Sequence, residues 1–395
     1  MTNNAFHDLL PAAKAIEREL IDLRRKLHQN PELSFEETET SAMAAKLLND
    51  LGLEVRRGIG GHGIVAELTG SRPGPRIALR ADMDALPIQE ETGLPYSSGI
   101  PGKMHACGHD AHTAILYGAA KLLSVRKDQL AGSVRFLFQS AEEINAGAKA
   151  MIEQGVLEDV DEIFGLHNLP TLPAGKAATR YGALMGSVDR FELTLTGKGG
   201  HGAMPDQCVD PIVAASAIVM SIQSAVSREI SPFDPVVVTV GSIHGGASYN
   251  VIPERVELTG AVRTFSRNVQ ETMQLRLQRL ISQSAEAYRC EAELRYVQQV
   301  PVLVNHNDHV RHVEDAIDHI LGSDNRVEAK PVLAGEDFSV YLEHVPGCFF
   351  WLGSGPATGA EQAYGLHHPK FSVNEKCLSL GAAVLTAISI QRLGF

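Results

Sequence analysis

The densest group of chemically reactive side chains lies in residues 103–112, which read KMHACGHDAH. Cys107 and His109 are two residues apart, and in an extended segment such residues point to the same side of the chain. A thiolate and an imidazole together favour zinc and similar first-row divalent ions. The alternative interpretation is a buried free cysteine beside loop histidines. A structural zinc finger is not expected, because no second Cys/His pair stands at the usual spacing.

Two neighbouring carboxylates, Glu142 and Glu143, follow an apolar run (SVRFLF) that predicts a strand. Adjacent carboxylates at a strand end point in different directions, so one can bind a metal while the other acts as a general acid/base on water. An adjacent Glu pair is also typical of a solvated helix start. The position after an apolar strand favours a site, because α/β sheets place ligands at strand ends.

His167 and His367 each end a Gly-Leu-His triplet at the close of an apolar run. A lone histidine is more often a structural residue than a ligand. Together with the Cys-x-His pair and a glutamate, however, these two histidines complete a candidate set of five ligands. Five ligands exceed a four-coordinate structural site and fit two metals that share a water, an arrangement used for hydrolysis.

Several other motifs exclude competing functions. Two G-x-G-x-x-G matches begin at Gly58 and Gly197, but neither leads directly into a helix, so dinucleotide binding is not predicted. The absence of G-x-S-x-G weakens a serine-hydrolase interpretation. The absence of H-E-x-x-H excludes the zincin protease motif.

The elements that must position these residues alternate in an α/β pattern at both ends of the chain. The predicted helices there are 9–27, 41–51, 110–123, 308–321, 337–344 and 374–392, and the predicted strands are 63–68, 76–80, 133–138, 161–166 and 348–353. The near-continuous apolar strands favour a sheet that is largely covered by helices.

The middle of the chain follows a different order, β-α-β-β-α-β. Its predicted strands are 188–196, 235–242, 255–265 and 291–297, and its predicted helices are 211–226, capped by Asp210, and 269–288. The sequence therefore predicts one discontinuous α/β domain, 1–186 and 301–395, with a smaller domain, 187–300, inserted into it.

Composition limits the partners and the compartment. The 395 residues carry a net charge of −12, which argues against nucleic acid or an anionic membrane as the main partner. The five cysteines are scattered and form no C-x-x-C pair, so reduced thiols and a cytoplasmic location are expected. We expect neither a signal peptide nor a membrane span.

The motifs, taken in order, resemble those of the metal-dependent aminoacylase and hippurate hydrolase family, which includes N-acyl-amino-acid amidohydrolases and plant auxin-conjugate hydrolases and is related to carboxypeptidase G. The matching segments are 23–37, 80–98, 102–114, 138–143, 165–170, 197–205, 248–254, 334–339 and 366–375. One departure is Ser140, where the family usually has Pro or Ala. The resemblance implies an α/β fold in which a dinuclear-metal, exopeptidase-like catalytic domain, a mixed sheet flanked by helices, carries an inserted lid domain.

The resemblance also implies a role for each candidate residue. Cys107 would bridge two divalent ions, Zn²⁺ or Mn²⁺ with Co²⁺ or Ni²⁺ as alternatives, and His109, Glu143, His167 and His367 would complete the ligand set. Glu142 would be the base that activates water and then protonates the leaving amine. His201 would stabilise the oxyanion, within its own chain or across a dimer, Asn250 and Arg263 would contact the substrate, and Asp84 would orient a metal ligand.

The implied reaction is cleavage of the amide bond of an N-acyl amino acid, such as a hippurate-like or N-acetyl compound. Two alternatives remain at this point: a dipeptidase or carboxypeptidase of the same superfamily, and a catalytically silent relative that only binds. A strand edge in the lid could pair with its own copy, which favours a homodimer through the lid domain.

Overall fold

The computed structural model describes Phe6 and residues 8–394, and the chain forms two compact units. The first unit consists of Met1–Leu184, Val304–Lys330 and Asp337–Phe395. The second consists of Met185–Leu303 and Pro331–Glu336. The short return segment Pro331–Glu336 was not anticipated from the sequence, because it carries no strong periodicity.

The described chain contains the following helices and strands. The helices are α1 (Leu9–Ala15), α2 (Glu17–Gln29), α3 (Thr38–Asp50), α4 (His109–Ser124), α5 (Gly147–Ile152), α6 (Pro211–Arg228), α7 (Arg267–Ala287), α8 (Asn307–Ile320), α9 (Phe338–Leu342) and α10 (Lys376–Leu393). The strands are β1 (Glu54–Ile59), β2 (Gly63–Thr69), β3 (Arg72–Asp82), β4 (Ala131–Gln139), β5 (Glu162–Pro173), β6 (Ala177–Thr179), β7 (Gly182–Met185), β8 (Val188–Thr196), β9 (Gly200–His201), β10 (Val236–Gly245), β11 (Val251–Ile252), β12 (Arg255–Thr264), β13 (Glu291–Val300), β14 (Leu303–Asn305), β15 (Arg326–Glu328) and β16 (Gly347–Gly355).

An eight-stranded mixed sheet forms the centre of the first unit, in the order β1-β2-β4-β3-β5-β16-β6-β15. The four central strands β4, β3, β5 and β16 run parallel to one another, whereas β1–β2, β2–β4 and β16–β6 are antiparallel pairs. β4 and β16 are buried along almost their whole length, as expected for parallel strands covered by helices. The predicted mixed α/β architecture is therefore confirmed.

Two helices of the first unit belong to its hydrophobic core. α4 and α10 are buried on nearly all sides and contact each other, which explains why their sequences lack a polar face. α6 and α10 are long and apolar enough to cross a membrane by length and composition alone. Core helices of globular domains pass the same test, and most of α10 is buried inside its unit.

Most predicted elements are confirmed within a few residues, but several details of the first unit were wrong or missed. The predicted helix 9–27 is two helices, because the chain tightens at Ile16, whose amide bonds to the carbonyl of Ala13 three residues back. The apolar periodicity continues through this break, so it hid the interruption. β1 was missed because its residues, EVRRGI, are mostly polar and exposed on an edge strand. The short strands β6, β7, β14 and β15 carried too few residues for a pattern.

The second unit contains a four-stranded antiparallel sheet in the order β10-β12-β8-β13, packed against α6 and α7. The predicted β-α-β-β-α-β order is confirmed by β8, α6, β10, β12, α7 and β13. The Asp210 carboxylate accepts the amides of Ile212 and Val213, which caps α6 as its sequence predicted. The two-residue strands β9 and β11 also pair with each other, a contact that the sequence did not reveal.

Candidate metal centre

The strands of the first unit bring the candidate residues together at one edge of the sheet. β3, β4 and β5 are parallel neighbours, and Asp82 at the end of β3 is in register with Gln139 at the end of β4. The chain beyond β4 reaches Glu142 and Glu143, and β5 carries His167. The carboxyl ends of parallel strands are the usual place for a site in such a sheet.

The turn that begins α4 places the thiol and the first imidazole. Gly108 has φ +92 and precedes His109, the first residue of α4. A Cβ at Gly108 would lie 2.2 Å from the side-chain nitrogen of Asn168, so only glycine fits this close approach. The turn leaves Cys107 Sγ 3.3 Å from His167 Nε2.

The five predicted ligands form overlapping groups. Within each of two groups, Cys107–His109–His167 and Cys107–Glu143–His367, the potential ligand atoms lie within 4.8 Å of one another. Cys107 belongs to both groups, so its thiolate would be the donor available to two bound ions. Glu142 joins His109 and Glu143 in a third group of the same kind, so the predicted base lies beside the predicted ligands.

Two atoms in this cluster fit a cation rather than a hydrogen-bond donor. His109 Nε2 and Glu143 Oε1 are buried and have no hydrogen-bond partner among the described residues. They lie 3.8 Å apart, and Glu143 Oε2 lies 3.3 Å from His367 Nε2. Since unsatisfied buried polar atoms are rare, their convergence on one point fits metal ligation.

Asp84 organises the residues around this point. Its Oδ1 accepts the Nδ1–H of His109 (3.2 Å) and the amide of Glu142 (3.1 Å), whereas its Oδ2 accepts the amide of Glu143 (3.0 Å) and the hydroxyl of Ser34 (2.7 Å). A histidine that donates through Nδ1 presents an unprotonated Nε2 to a metal. Asp84 therefore orients one predicted ligand and fixes the backbone of both glutamates.

The two isolated histidines differ in their surroundings. His167 is buried, and its Nδ1 bonds to the carbonyl of Asn168 (2.8 Å), which leaves Nε2 directed at Cys107. His367 is exposed and has φ +64, and its amide bonds to the Ala106 carbonyl (2.8 Å). A positive φ is costly for a residue other than glycine and is concentrated at functional sites. The neighbouring His368 instead stacks on a tyrosine ring outside the cluster.

The electrostatics of the cluster favour a positive charge. Burial and the nearby Glu143 carboxylate raise the pKa of the Cys107 thiol well above its ordinary value. Burial lowers the pKa of His109, but Asp82 and Cys107 outweigh burial and the net shift is upward. A divalent cation in this position would favour the thiolate and the neutral imidazole.

His112 is an important neighbour to which the sequence assigned no role. Its Nδ1 lies 2.6 Å from Asp82 Oδ1, and its Nε2 accepts the amide of Asn168 at 2.9 Å. Asp82, His109 and His112 also lie within ligand distance of one another. Because protein groups already satisfy both nitrogens of His112, we interpret it as a support for His167 and the Cys107 loop rather than as a ligand. In the sequence, only the three-residue spacing of His109 and His112 on α4 indicated that His112 lies near the predicted ligands.

The remaining candidate residues belong to the second unit. His201 is exposed on β9, and its Nδ1 accepts the amide of Ala203 at 3.0 Å. The Asn250 carbonyl accepts the amide of Gly202 at 2.8 Å, so the segments that carry His201 and Asn250 are joined here. Arg263 lies on β12, where burial lowers the pKa of its guanidinium despite the nearby Asp189.

The cluster is a candidate dinuclear metal centre of the kind that hydrolases use. The family model of Peptidase family M20/M25/M40 matches residues 78–391, and this chain belongs to that family. It is 41% identical to the N-acetylcysteine deacetylase of Bacillus subtilis over 380 residues. This alignment covers 96% of this chain and 98% of the relative. It is 40% identical over 386 residues to thermostable carboxypeptidase 2 of Saccharolobus solfataricus, with 96% of both chains covered.

Solved structures agree with this assignment. The Bacillus subtilis YXEP protein, described as a dinuclear metal binding peptidase from the M20 family, superposes with a TM-score of 0.84 and 38% identity, over 96% of this chain and 99% of that chain. The predicted family and the predicted mixed α/β fold of a dinuclear-metal peptidase are thus confirmed, whereas the lid role of the inserted domain stays a prediction. The chain is an amide-cleaving enzyme of a metal-dependent hydrolase family.

Proposed function

We propose that this enzyme hydrolyses the amide bond of N-acyl amino acids. The observation that carries the proposal is the convergence of five ligand-type side chains with a sixth group, the Glu142 carboxylate, at the carboxyl ends of parallel strands. The relative named as an N-acetylcysteine deacetylase acts on a compound of this class, which supports the choice of substrate.

Cys107, His109, Glu143, His167 and His367 would hold two divalent ions, Zn²⁺ or Mn²⁺, with Co²⁺ or Ni²⁺ as alternatives. Bound ions of this kind polarise an amide carbonyl and lower the pKa of water. The fit rests on the chemistry of the donors and on the two buried atoms, His109 Nε2 and Glu143 Oε1, that protein groups leave unsatisfied.

Glu142 is proposed as the general base. Asp84 fixes the Glu142 amide. The Glu142 carboxylate lies 4.0 Å from His109 Nε2, about as close as the Glu143 carboxylate, which lies 3.8 Å from the same atom. A carboxylate beside the ligand set can take a proton from the attacking water and deliver it to the leaving amine. Glu142→Gln keeps the size of the side chain but removes this proton transfer.

We further propose that the first unit, predicted as 1–186 and 301–395, is catalytic and that the second, predicted as 187–300, is a lid. In His201, Nδ1 accepts a hydrogen bond, so Nε2 carries the proton and can donate to an oxyanion. Asn250 and Arg263 supply the amide and guanidinium groups that bind a carboxylate or carbonyl. These three roles rest on the family resemblance.

A homodimer through the lid is also proposed. β10 and β13 are the edges of the four-stranded sheet, and an edge strand can pair with a copy of itself. Val237 and Ile243 on β10 and Met220 on α6 are exposed apolar side chains of this unit. The cytoplasmic location and the absence of nucleic-acid and membrane partners stay predictions.

A substrate screen tests the proposed activity. The metal-depleted protein should be reloaded with Zn²⁺, Mn²⁺ or Co²⁺ and assayed on hippurate, N-acetyl-amino acids, indole-acetyl conjugates and dipeptides. We expect the highest kcat/KM on an N-acyl amino acid, and Glu142→Gln should bind the ions but lose most turnover, about 10²–10⁴-fold. Normal turnover by Glu142→Gln would contradict the base assignment.

The identity to a carboxypeptidase supports a second candidate, hydrolysis of peptides at the carboxyl end. The same screen separates the two, since a peptidase would prefer an aminoacyl group on the scissile amide, whereas an aminoacylase would prefer a simple acyl group. A higher kcat/KM on dipeptides than on every N-acyl amino acid would favour this alternative.

A further inference from the structure

The segment between α2 and α3 contains a buried carboxylate, Glu37, whose partners lie about a hundred residues away in the chain. Its Oε1 accepts the amide of Ala141 at 2.8 Å, and its Oε2 accepts a short hydrogen bond from the Ser140 hydroxyl. Glu37 is fully buried. Burial also raises the pKa of this carboxyl, as expected for a carboxyl group removed from water.

The turn that Glu37 contacts is strained and leads directly to the proposed base. Ala141 has φ +56, a conformation that a residue other than glycine adopts only when its surroundings impose it. Its carbonyl accepts the amide of Gly147 at 3.0 Å, which closes the turn around Glu142. Asp84 holds the next amide, that of Glu142, at 3.1 Å. Two carboxylates therefore hold consecutive amides of one turn.

We propose that Glu37 is a positioning residue that holds the Ser140–Ala141 turn and thereby the side chain of Glu142. The proposal rests on the assignment of Glu142 as the base under the proposed function. The two hydrogen bonds of the Glu37 carboxylate go to residues that are not predicted ligands. Glu37 therefore acts on proton transfer by Glu142 and leaves ion binding to other residues.

The segment that contains Glu37 also contacts Asp84, the other carboxylate that holds this turn. The Ser34 hydroxyl donates to Asp84 at 2.7 Å, and the Glu32 carbonyl accepts the amide of Ala85 at 2.8 Å. Phe35, which lies between Ser34 and Glu37, has φ +63, another strained position. One short segment thus supplies one of the two carboxylates that fix the backbone beside Glu142, Glu37, and contacts the other, Asp84.

Ser140 provides a matched control within the chain. The family that the sequence resembles usually has Pro or Ala at this position, so the hydroxyl contact to Glu37 is dispensable for the fold. Ser140→Ala removes that contact but leaves the bond from the Ala141 amide to Glu37. The amide bond is therefore the contact on which the positioning depends.

The kinetic test compares Glu37→Ala, Glu37→Gln and Ser140→Ala with the wild-type enzyme, each loaded with Mn²⁺ and assayed on the best N-acyl amino acid. For Glu37→Ala we expect kcat to fall about 10- to 100-fold, because a displacement of about 1 Å can cost this much, while KM and bound metal change less than about threefold. Glu37→Gln keeps an acceptor for the Ala141 amide and should restore kcat to within about fivefold of wild type. Ser140→Ala should stay within about twofold.

A second measurement does not depend on turnover. Hydrogen–deuterium exchange of peptides covering residues 139–146 should be faster in Glu37→Ala than in the wild type, because the Ala141 amide loses its acceptor. Leu48→Ala, a buried substitution in α3, controls for general destabilisation. In this control, exchange of 139–146 should remain protected and kcat should stay near wild type.

Wild-type kcat in a folded Glu37→Ala, or unchanged exchange of 139–146, would overturn the positioning role. If Glu37→Ala does not fold, Glu37→Asp replaces it, since the shorter side chain keeps the charge but cannot reach the turn, and wild-type turnover would again overturn the proposal. Failure of the proposed function is a separate result. Normal turnover by Glu142→Gln would remove the base assignment, whereas the exchange data would still decide whether Glu37 holds the turn.

Discussion

Asp84 gathers four hydrogen-bond donors around one buried carboxylate, so Asp84→Asn is an informative perturbation. Its Oδ1 accepts hydrogen bonds from the Glu142 amide and the His109 ring. Its Oδ2 accepts hydrogen bonds from the Glu143 amide and the Ser34 hydroxyl. An asparagine oxygen can replace only one of the two carboxylate oxygens. In either orientation, the amide NH₂ faces a backbone N–H that cannot accept.

The cost follows from this geometry. Leaving one buried donor unsatisfied costs about 1–3 kcal/mol, which corresponds to about a 5- to 150-fold change in an equilibrium constant. Loss of a group that orients a metal ligand typically costs about 10- to 100-fold in metal affinity or activity. We therefore expect Asp84→Asn to weaken metal binding by about 10- to 100-fold.

The assay is titration of bound Zn²⁺ or Mn²⁺ against a competing chelator, with the thermal unfolding midpoint measured in parallel. Ser34→Ala is the matched control, because it removes one donor to Asp84 and keeps the other three. The control should change metal affinity less than about threefold. Wild-type metal affinity in Asp84→Asn would refute the reasoning, and so would an equal loss in Ser34→Ala.

Two further predictions concern stability and metal binding. Burial raises the pKa of Glu162, but hydrogen bonds and charges from His309 and Arg392 outweigh burial and lower the pKa to about 2. The ionised carboxylate therefore stabilises the fold at neutral pH, and this contribution disappears as pH falls toward 2. Glu162→Gln should therefore lower the free energy of unfolding by about 1–3 kcal/mol at pH 7. The difference in this free energy from wild type should shrink on acidification. A constant difference in denaturant titrations from about pH 7 to pH 3 would contradict the prediction. Gly108→Ala should weaken metal binding at least about tenfold, because its Cβ would lie 2.2 Å from the Asn168 side chain at φ +92. Wild-type metal content in Gly108→Ala would contradict the proposed close fit.

The sequence was most informative where residue type alone indicates chemistry. A cysteine two residues before a histidine, a glutamate pair after an apolar strand and two Gly-Leu-His triplets indicated ligands, and the structure brings all five side chains into overlapping groups. Strand ends in an α/β sheet lie together, so residues far apart in sequence could be expected to meet. The resemblance, rather than any pattern, supplied the individual roles.

The supporting contacts could not be predicted, because they depend on long-range packing. Nothing in the sequence connects Glu37 with Ala141 or His112 with Asp82, since each pair is formed by elements that meet only in the folded sheet. The break at Ile16 was hidden because apolar spacing continues across it. Short strands such as β9 and β11 carry no periodic signal, although they join the loops of His201 and Asn250.

The most direct test of the central claim is anomalous diffraction from crystals of the enzyme loaded with Zn²⁺ or Mn²⁺. We predict two anomalous peaks per chain, one on each side of Cys107 Sγ. The first peak should contact His109 and either His167 or Glu143. The second peak should contact the remaining ligands, including His367. A single peak, or two peaks that do not share the Cys107 thiolate, would contradict the proposed dinuclear centre.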